Sequence, residues 1–510
     1  MSTVETTPPV HENGAAGAAQ IPVENPATGE VVAHVPDHSA GQVADAVRRA
    51  RAAQPGWEAM GYDGRGEVMK AARKWLVENR DRMVSTIVEE TGKTREDAML
   101  AEIFFVADSL GFWAKSAPRY LKDERVRSHS PLLFGKRFVK RYRPMGVVGV
   151  IGPWNYPLTN SFGDAIAALM AGNSVVLKPS EVTPLTSLLM QEGMKAAGIP
   201  EDVFIVVTGR GETGAALVGQ ADMLMFTGST ATGRKIMAEA AESLTPVSLE
   251  LGGKDPMIVL RDADVERAAN TAVYWSMSNG GQICQAVERV YVEEPVYDDF
   301  VARVIEKAGA LRQGEPRAQG SVDVGAVTFG PQLEIMERHL EDALEKGATV
   351  RVGGKAREGS GRFFEPTVLT EVDHSMEVMT DETFGPILPI MKVRDEEEAL
   401  ELANDSRYGL NSSVFTKDLE KGEAIARRID AGNACVNDCV SNYAAQELPF
   451  GGVGESGIGV RHGAAGIQKY CRTQSLMVTR FAGKRELYFF PYTPRRSKLL
   501  ERVMVLLYGR

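Results

Sequence analysis

Asn279–Arg289, NGGQICQAVER, sets one thiol, Cys284, behind two glycines and a glutamine and ahead of a charged segment. A structural cysteine belongs in an apolar run, so a thiol in what reads as a flexible polar turn is a candidate for chemistry and needs partners. Glu250 closes VSLELGGKDP, an apolar strand leading into two glycines. A carboxylate at the end of a buried strand is costly unless used or paired, and desolvation would move it toward the range of a general base. Asn155 lies in GPWNYP between Pro153 and Pro157. The prolines restrict the backbone, so the amide is either an aimed oxyanion donor or the filler of a turn. The seven histidines, His11, His34, His38, His129, His339, His374 and His462, supply no Ser-His-Asp set, and each reads as a solvated loop side chain. Cys435 and Cys439 are spaced C-x3-C without a second pair or a nearby His, so no metal site is expected. Cys471 reads as a packed small residue.

These residues need a scaffold. Gly41–Ala53 and Gly66–Thr91 carry apolar residues at helical spacing. Val147–Ile151 is β-rich between Gly and Pro, and NSVVLKPS, DVFIVVTG and DMLMFTG read as further strands. Helical patterns lie between them at Phe162–Ala171, Pro184–Ala197, Gly214–Gln220 and Ala231–Ser243. Strands alternating with helices argue for a parallel, doubly wound α/β sheet. RVYVEEP, a helix over Val296–Ala310, ATVRVGG, TVLTEV, LPIMKV and NACVND repeat the order, predicting a second α/β domain from about Leu251 to Asp438.

Two glycine loops compete for a nucleotide. GRGETG, Gly209–Gly214, follows a strand and opens a helix, but its acidic partner, Asp222, comes too soon. In FTGSTATGRK, Phe226–Lys235, Ser229 and Thr230 stand at a helix start, which suits either an anion or a plain cap. Lys178 and Glu181 of LKPSE sit just past a strand's carboxyl end, where they could bond ribose hydroxyls or form a surface salt bridge.

The 510 residues suffice for two or three domains. At 44% hydrophobic and 25% charged the composition is that of an ordinary soluble globular protein. A net charge of −10 gives no reason to expect nucleic acid. Four cysteines are too few for a disulfide scaffold, which favours a reducing, cytoplasmic setting. Residues 1–20 lack a secretory pattern and read as a disordered tail, and no run of 18 apolar residues exists to span a membrane.

GPWNYP, LKPSE, FTGSTATG, ELGGK, GQICQAVER, ETFGP and LPFGGVGESG occur in the order and near the separations of the aldehyde dehydrogenase superfamily. The resemblance runs from about Pro22 to Thr479 and is nearest to actinobacterial members labelled succinate-semialdehyde dehydrogenase. It implies a Rossmann-type cofactor domain at 21–136 and 147–250 and a catalytic domain at 251–440. It further implies oligomerisation strands at 137–146 and 473–480 and a return segment at 441–472. By resemblance, Cys284 is the nucleophile, Asn155 the oxyanion donor and Glu250 the base that activates water. Ser229 and Gly228 match the pyrophosphate loop, which makes GRGETG a decoy, although Gly209 matches a glycine near the adenine. Trp154 and Lys178 belong to the cofactor side, Glu382 matches the holder of the nicotinamide ribose, and Phe384 packs beside that ring. NAD is expected over NADP, since Glu181 would repel a 2′-phosphate. Asp255 is a departure: the family usually has Asn or Ser there, and a further carboxylate near Glu250 could alter the base. Gly163 replaces the Arg that helps succinate-semialdehyde dehydrogenases hold their carboxylate, Ala286 replaces their second Cys, and Ala444 replaces a bulky pocket residue. Arg289 is near the nucleophile without restoring a carboxylate site. A wide, uncharged tunnel for medium or long aliphatic or bulky aromatic aldehydes follows, with succinate-semialdehyde dehydrogenase, a CoA-acylating enzyme and a catalytically silent paralogue as alternatives. A homodimer or tetramer follows by resemblance.

Residues 481–510 run past the usual family end. Pro491 and Pro494 break the chain, so a helix can start near Arg495, with Leu499, Leu500, Val503, Met504, Leu506 and Leu507 on one face. Arg495, Arg496, Lys498 and Arg502 lie largely on the other, and Tyr488, Phe489, Phe490 and Tyr492 precede the helix. This basic amphipathic extension suits either docking on a subunit or peripheral membrane contact.

Overall fold

The computed structural model describes residues 19–486 and 488–509. Most of the expected N-terminal tail, with His11, lies outside the described residues; Gln20 already belongs to a strand, Gln20–Glu24, paired antiparallel with Val31–Pro36. The chain divides into two compact units. The larger runs through Tyr120 and from Pro144 to Cys471; the smaller takes Leu121–Arg143 and the chain from Arg472 on.

The larger unit holds two main sheets. Across the six-stranded one the order is Gly457–Ile458, Val247–Glu250, Met223–Thr227, Val147–Ile151, Ser174–Lys178 and Phe204–Val206. All neighbours are parallel except Gly457–Ile458, which runs antiparallel to Val247–Glu250. The central strands are buried along their whole length, as continuous apolar runs require when helices cover both faces of a sheet. The seven-stranded sheet runs Thr349–Val352, Thr367–Thr370, Ile387–Val393, Val287–Glu293, Asp255–Val259, Ser413–Phe415 and Cys435–Val436. Its edge strand Thr349–Val352 is antiparallel and the other pairs are parallel. The parallel order puts the carboxyl ends of the strands, and the turns that follow them, on one rim of each sheet, where ligand crevices form.

Gly66–Thr91, read above as one helix, is two, Gly61–Glu78 and Arg80–Thr91, broken at Asn79 with φ −102° and ψ 15°. Apolar spacing continues across the break, so periodicity alone does not reveal it. The long helical stretch up to Tyr120 also escaped the sequence pattern. It starts at Arg95, widens to π geometry over Ala98–Phe104 and continues as Phe105–Tyr120. Such π turns are rare and concentrate at functional sites. No described helix is long and apolar enough to cross a membrane.

In the smaller unit the strand order is Cys471–Thr479, Lys136–Pro144 and Glu124–Val126, which leaves Cys471–Thr479 as an exposed edge. The expected terminal helix is Pro494–Tyr508, capped by Thr493, whose hydroxyl accepts from the Arg496 N–H. None of its described side chains is buried.

Candidate active site

Cys284 follows a turn that is buried and cross-braced, unlike the flexible polar loop its composition suggests. Asn279, Gly280 and Gly281 all take left-handed backbone conformations, with φ of 50°, 63° and 71°. Gly281 is sterically required, since a Cβ there would lie 2.2 Å from the Gly385 backbone. Gln282 is fully buried: its amide donates to the Asn279 carbonyl at 2.6 Å and accepts from the Thr328 N–H at 2.8 Å. The turn thus presents Cys284, half-buried, on a braced backbone.

Glu250 ends the Val247–Glu250 strand, and its Oε1 lies 3.6 Å from Cys284 Sγ. Its other oxygen is ion-paired with Arg461. The sequence considered burial alone; the structure sets a guanidinium against that carboxylate, so burial does not act unopposed. Asn155 is pinned by its environment more than by its prolines. Its Nδ2 donates to the Gln282 carbonyl at 2.9 Å, which leaves the amide's second N–H for another acceptor. Its carbonyl accepts from Lys93 Nζ at 2.7 Å and from Asn279 Nδ2 at 3.3 Å. Lys93 is paired with Glu102 at 2.7 Å, both side chains fully buried, and Glu102 also accepts from the Leu158 and Thr159 N–H groups. Burial pushes the Cys284 thiol up to about 12, with the carboxyls of Asp255 and Glu382 adding to it, while the N–H groups of Cys284 and Gln285 pull the other way. Asp255 is itself buried and held well above the usual carboxylate range by desolvation. Where it is ionised, its charge raises the Cys284 thiol.

On the six-stranded sheet, Trp154, Lys178 and Gly228 follow or end the central strands. Lys178 is buried, and its Nζ meets Glu181 Oε2 at 3.0 Å, so the two side chains are already joined, with Glu181 part-exposed. Ser229 caps the Thr230–Ser243 helix by accepting from the Thr232 N–H, and stays exposed. Gly209 leads into the Gly211–Val218 helix, where a Cβ would strike the Thr213 side chain. Glu382 accepts from the Gly253 N–H at 3.0 Å; burial and its neighbour Glu288 push it up to about 8. The rings of Phe384 and Trp154 meet edge-on with centroids 5.4 Å apart. Carboxylates at two places, an open helix N-terminus and two aromatic rings fit the hydroxyls, phosphates and ring of a dinucleotide.

Cys284 also lines a cavity of about 390 Å³. Phe105, Tyr156, Tyr274, Trp275, Tyr443 and Ala444 form much of its wall, and Leu100 and Phe104, more than half exposed, bring it to the surface. The small residues at Gly163 and Ala444 implied an uncharged tunnel, but Asp97 and Asp108 line it, though burial pushes Asp97 toward protonation. The described lining contains no Lys, Arg or His. Gly163 lies behind the wall; a Cβ there would sit 3.7 Å from the Phe105 ring, so its small size acts through Phe105. Arg289 points away: its guanidinium donates to the carbonyls of Lys254, Leu402 and Ala403.

Sequence reasoning missed a set of buried charges. Glu288 accepts from Lys254 Nζ at 2.6 Å and from the Thr383 and Phe384 N–H groups at 2.8 Å, which fixes the turn that carries Glu382. An acid inside the apolar strand Val287–Glu293 was a signal of the kind that picked out Glu250. Lys93, Glu102, Asp164 and Arg461 gave none, because a charged residue in sequence looks the same paired or solvated. Two histidines are corrections. His339 is buried on the Pro331–Glu345 helix beside Thr383, and His462 is packed among Phe105, Tyr443 and Phe450. Packing against apolar neighbours put both inside.

With the site in view, comparison is informative. Residues 13–476 match the aldehyde dehydrogenase family. The chain belongs to that family. It is 38% identical over 488 residues to 4,4′-diapolycopene aldehyde oxidase of a Methylomonas species, covering 95% of this chain and 91% of that one. It is 41% identical over 462 residues to a Mycolicibacterium smegmatis protein provisionally named succinate-semialdehyde dehydrogenase [NADP(+)], covering 90% and 89%. The crystal structure of lactaldehyde dehydrogenase from Escherichia coli superposes with a TM-score of 0.87 at 38% identity, over 91% of this chain and 97% of that one. The fold is therefore that of an aldehyde dehydrogenase, and the protein is an oxidoreductase acting on aldehydes with NAD(P), in a family of typically oligomeric enzymes.

Proposed function

We propose that the enzyme oxidises medium or long aliphatic or bulky aromatic aldehydes to carboxylic acids and prefers NAD to NADP. The observation that carries the substrate reading is the aromatic tunnel at Cys284, with two carboxylates and no cation in its described lining. Its volume is in the range of small-molecule sites. The carboxylate that succinic semialdehyde carries beside its aldehyde would find no cation there and would meet Asp97 and Asp108 instead. The Methylomonas relative is named for 4,4′-diapolycopene aldehyde and not for a semialdehyde.

In the proposed mechanism the Cys284 sulfur bonds to the aldehyde carbon, and the carbonyl electron pair moves to oxygen. Burial favours the thiol over the thiolate, so the S–H proton is lost to solvent as the carbon–sulfur bond forms, while Glu250, its Oε1 3.6 Å from the sulfur, stays ionised for the later hydrolysis. The second N–H of Asn155 and the Cys284 backbone N–H hold the oxyanion. NAD(P), when bound, supplies a hydride acceptor with a positively charged ring; Lys178, Glu181, Gly209, Gly228, Ser229, Trp154, Glu382 and Phe384 would hold it. Loss of hydride from carbon leaves a thioester. Glu250 then takes a proton from water as oxygen adds to the thioester carbon, and the carbon–sulfur bond breaks to free the acid. The NAD preference rests on Glu181, whose charge opposes a 2′-phosphate; the mycobacterial relative's name points the other way, and equal kcat/KM for the two cofactors would overturn it.

The exposed Cys471–Thr479 edge supports a homodimer or tetramer, since unpaired edges seek partners; a monomer by light scattering at micromolar concentration would contradict it. The Pro494–Tyr508 helix leaves Leu499, Met504 and Leu506 exposed beside Arg495, Lys498 and Arg502, a pattern suited to an anionic lipid surface. Full-length protein should co-sediment with anionic liposomes, and a chain ending at Arg480 should not. The decisive experiment for function is kcat/KM across aliphatic aldehydes from propanal to decanal, aromatic aldehydes and succinic semialdehyde. A preference for succinic semialdehyde over hexanal and decanal would overturn the substrate reading.

A further inference from the structure

Glu250 and Asp164 are two buried carboxylates that share one cation. Arg461 Nε and Nη2 each meet an Asp164 oxygen at 2.8 Å, a fork-to-fork pair of the strong, directional kind. Nη2 also donates to Thr227 Oγ1, and Nη1 donates to the Tyr443 hydroxyl at 3.2 Å and faces Glu250 Oε2. All three charged side chains are at most 7% exposed. Three separate segments meet here. Asp164 lies in the first turn of the Gly163–Met170 helix, nine residues beyond Asn155. Glu250 ends its strand, and the return segment pairs Gly457 with Glu250 before delivering Arg461. Arg461 is fixed by a two-way backbone bridge to Phe450, at 2.6 and 2.8 Å.

We propose that Arg461, clamped by Asp164, is a positioning residue for thioester hydrolysis that keeps Glu250 ionised with one oxygen at the Cys284 sulfur. The inference rests on the reading of Glu250 as the base. The physical reason is direct. Remove the guanidinium and two carboxylates face each other in a desolvated pocket, so one of them takes a proton. A protonated Glu250 cannot accept a proton from water, and the thioester accumulates. The other titratable groups that face this pair are Cys284, Tyr443, Tyr470, His462 and Lys469. Burial pushes His462 down to about 3, which leaves it neutral in the working range, and pushes Lys469 down to about 7, so Lys469 needs its own control.

The test compares Arg461→Gln, Arg461→Lys, Asp164→Asn and Lys469→Met in the full-length enzyme with saturating NAD. It reads both the first-turnover burst of NADH and the pH profile of steady-state kcat. Arg461→Gln should keep the burst, lose about tenfold or more in kcat at pH 7, and regain activity as pH rises, the acid limb moving up by about one unit or more. Arg461→Lys should restore much of the limb, Asp164→Asn should fall between, and Lys469→Met should leave the acid limb in place. A purely structural role would lower Tm in Arg461→Gln without moving the limb, and that result overturns the proposal. If Arg461→Gln does not fold, an unmoved limb in both Arg461→Lys and Asp164→Asn overturns it equally. Glu250→Gln separates the two readings: normal turnover in that variant defeats the base itself, whereas a stalled Glu250→Gln beside an unaffected Arg461→Gln defeats only Arg461.

Discussion

The two sides of Cys284 are built differently. On one, Asn155, Gln282 and Glu250 are polar, buried and bonded, and behind them lie Lys93, Glu102, Asp164 and Arg461. On the other, the wall is aromatic and aliphatic, and at Leu100 and Phe104 it is half open to solvent. Directional bonds fix atoms to fractions of an ångström, whereas apolar contact fixes only shape and volume. The polar side should therefore govern kcat and tolerate little, while the apolar side should govern which aldehyde enters and tolerate much.

The largest expected loss follows from the atom common to both sides. Cys284→Ser should lower acid formation by about 1,000-fold or more with an unchanged Tm, since a hydroxyl of ordinary pKa replaces a thiol in the same volume. Residual turnover within tenfold of wild type would remove Cys284 from the mechanism.

Next comes the brace behind Asn155. Lys93→Met leaves Glu102 buried without its cation, a change that costs roughly 3–5 kcal/mol in comparable buried pairs. It also strips the Asn155 carbonyl of its 2.7 Å donor. Denaturant unfolding should show the loss, kcat should fall with it, and adding Glu102→Gln should recover part of the stability because the uncompensated charge is gone. Equal stability of Lys93→Met and wild type would mean that the pair is incidental.

On the apolar side the effect should be smaller and selective. Ala444→Phe fills part of the tunnel, so kcat/KM for decanal should fall about tenfold while that for propanal stays within about twofold. A uniform loss across chain lengths would show that Ala444 acts on the chemistry and would erase the contrast between the two sides.

That contrast also explains what was legible in the sequence. Val147–Ile151 was read with its observed limits, since a β-branched run between Gly and Pro leaves few alternatives. Cys284 and Glu250 stood out because each is at odds with its local setting, and Asn155 because prolines flank it; the fold links the three through Gln282 and the 3.6 Å Glu250–Cys284 contact. The tunnel's width was readable at Ala444, but Gly163 had to be placed in three dimensions before its effect could be assigned to Phe105. The buried ion pairs were invisible. Arg461 lies 297 residues from Asp164, and nothing local distinguishes it from a solvated arginine.

The smallest expected effect tests the departure at Asp255. This carboxyl is buried, its Oδ2 has no hydrogen-bond partner, and desolvation holds its pKa well above the ordinary value. Desolvation thus favours its protonated form in the folded chain, and asparagine is a close mimic of that form. Asp255→Asn should leave kcat at pH 7 within about twofold. Stability should respond in the opposite sense to most acid substitutions. The unfolded chain loses this proton near pH 4 while the folded chain keeps it, so in the wild type stability falls as pH rises above that point, until the folded group ionises as well. Asparagine does not titrate. Asp255→Asn should therefore melt higher than wild type at pH 7, with a gap that widens from pH 5 upward and closes near pH 4. Thermal melts across that range check the sign. The thiol gives a second reading: an ionised Asp255 pushes the sulfur up, so above the pH at which it ionises the variant should react faster with iodoacetamide than the wild type. A tenfold loss of kcat at pH 7 together with a lower Tm would show instead that the carboxyl is charged and in use beside the sulfur, and the departure from the family pattern would then belong to the polar side of the site.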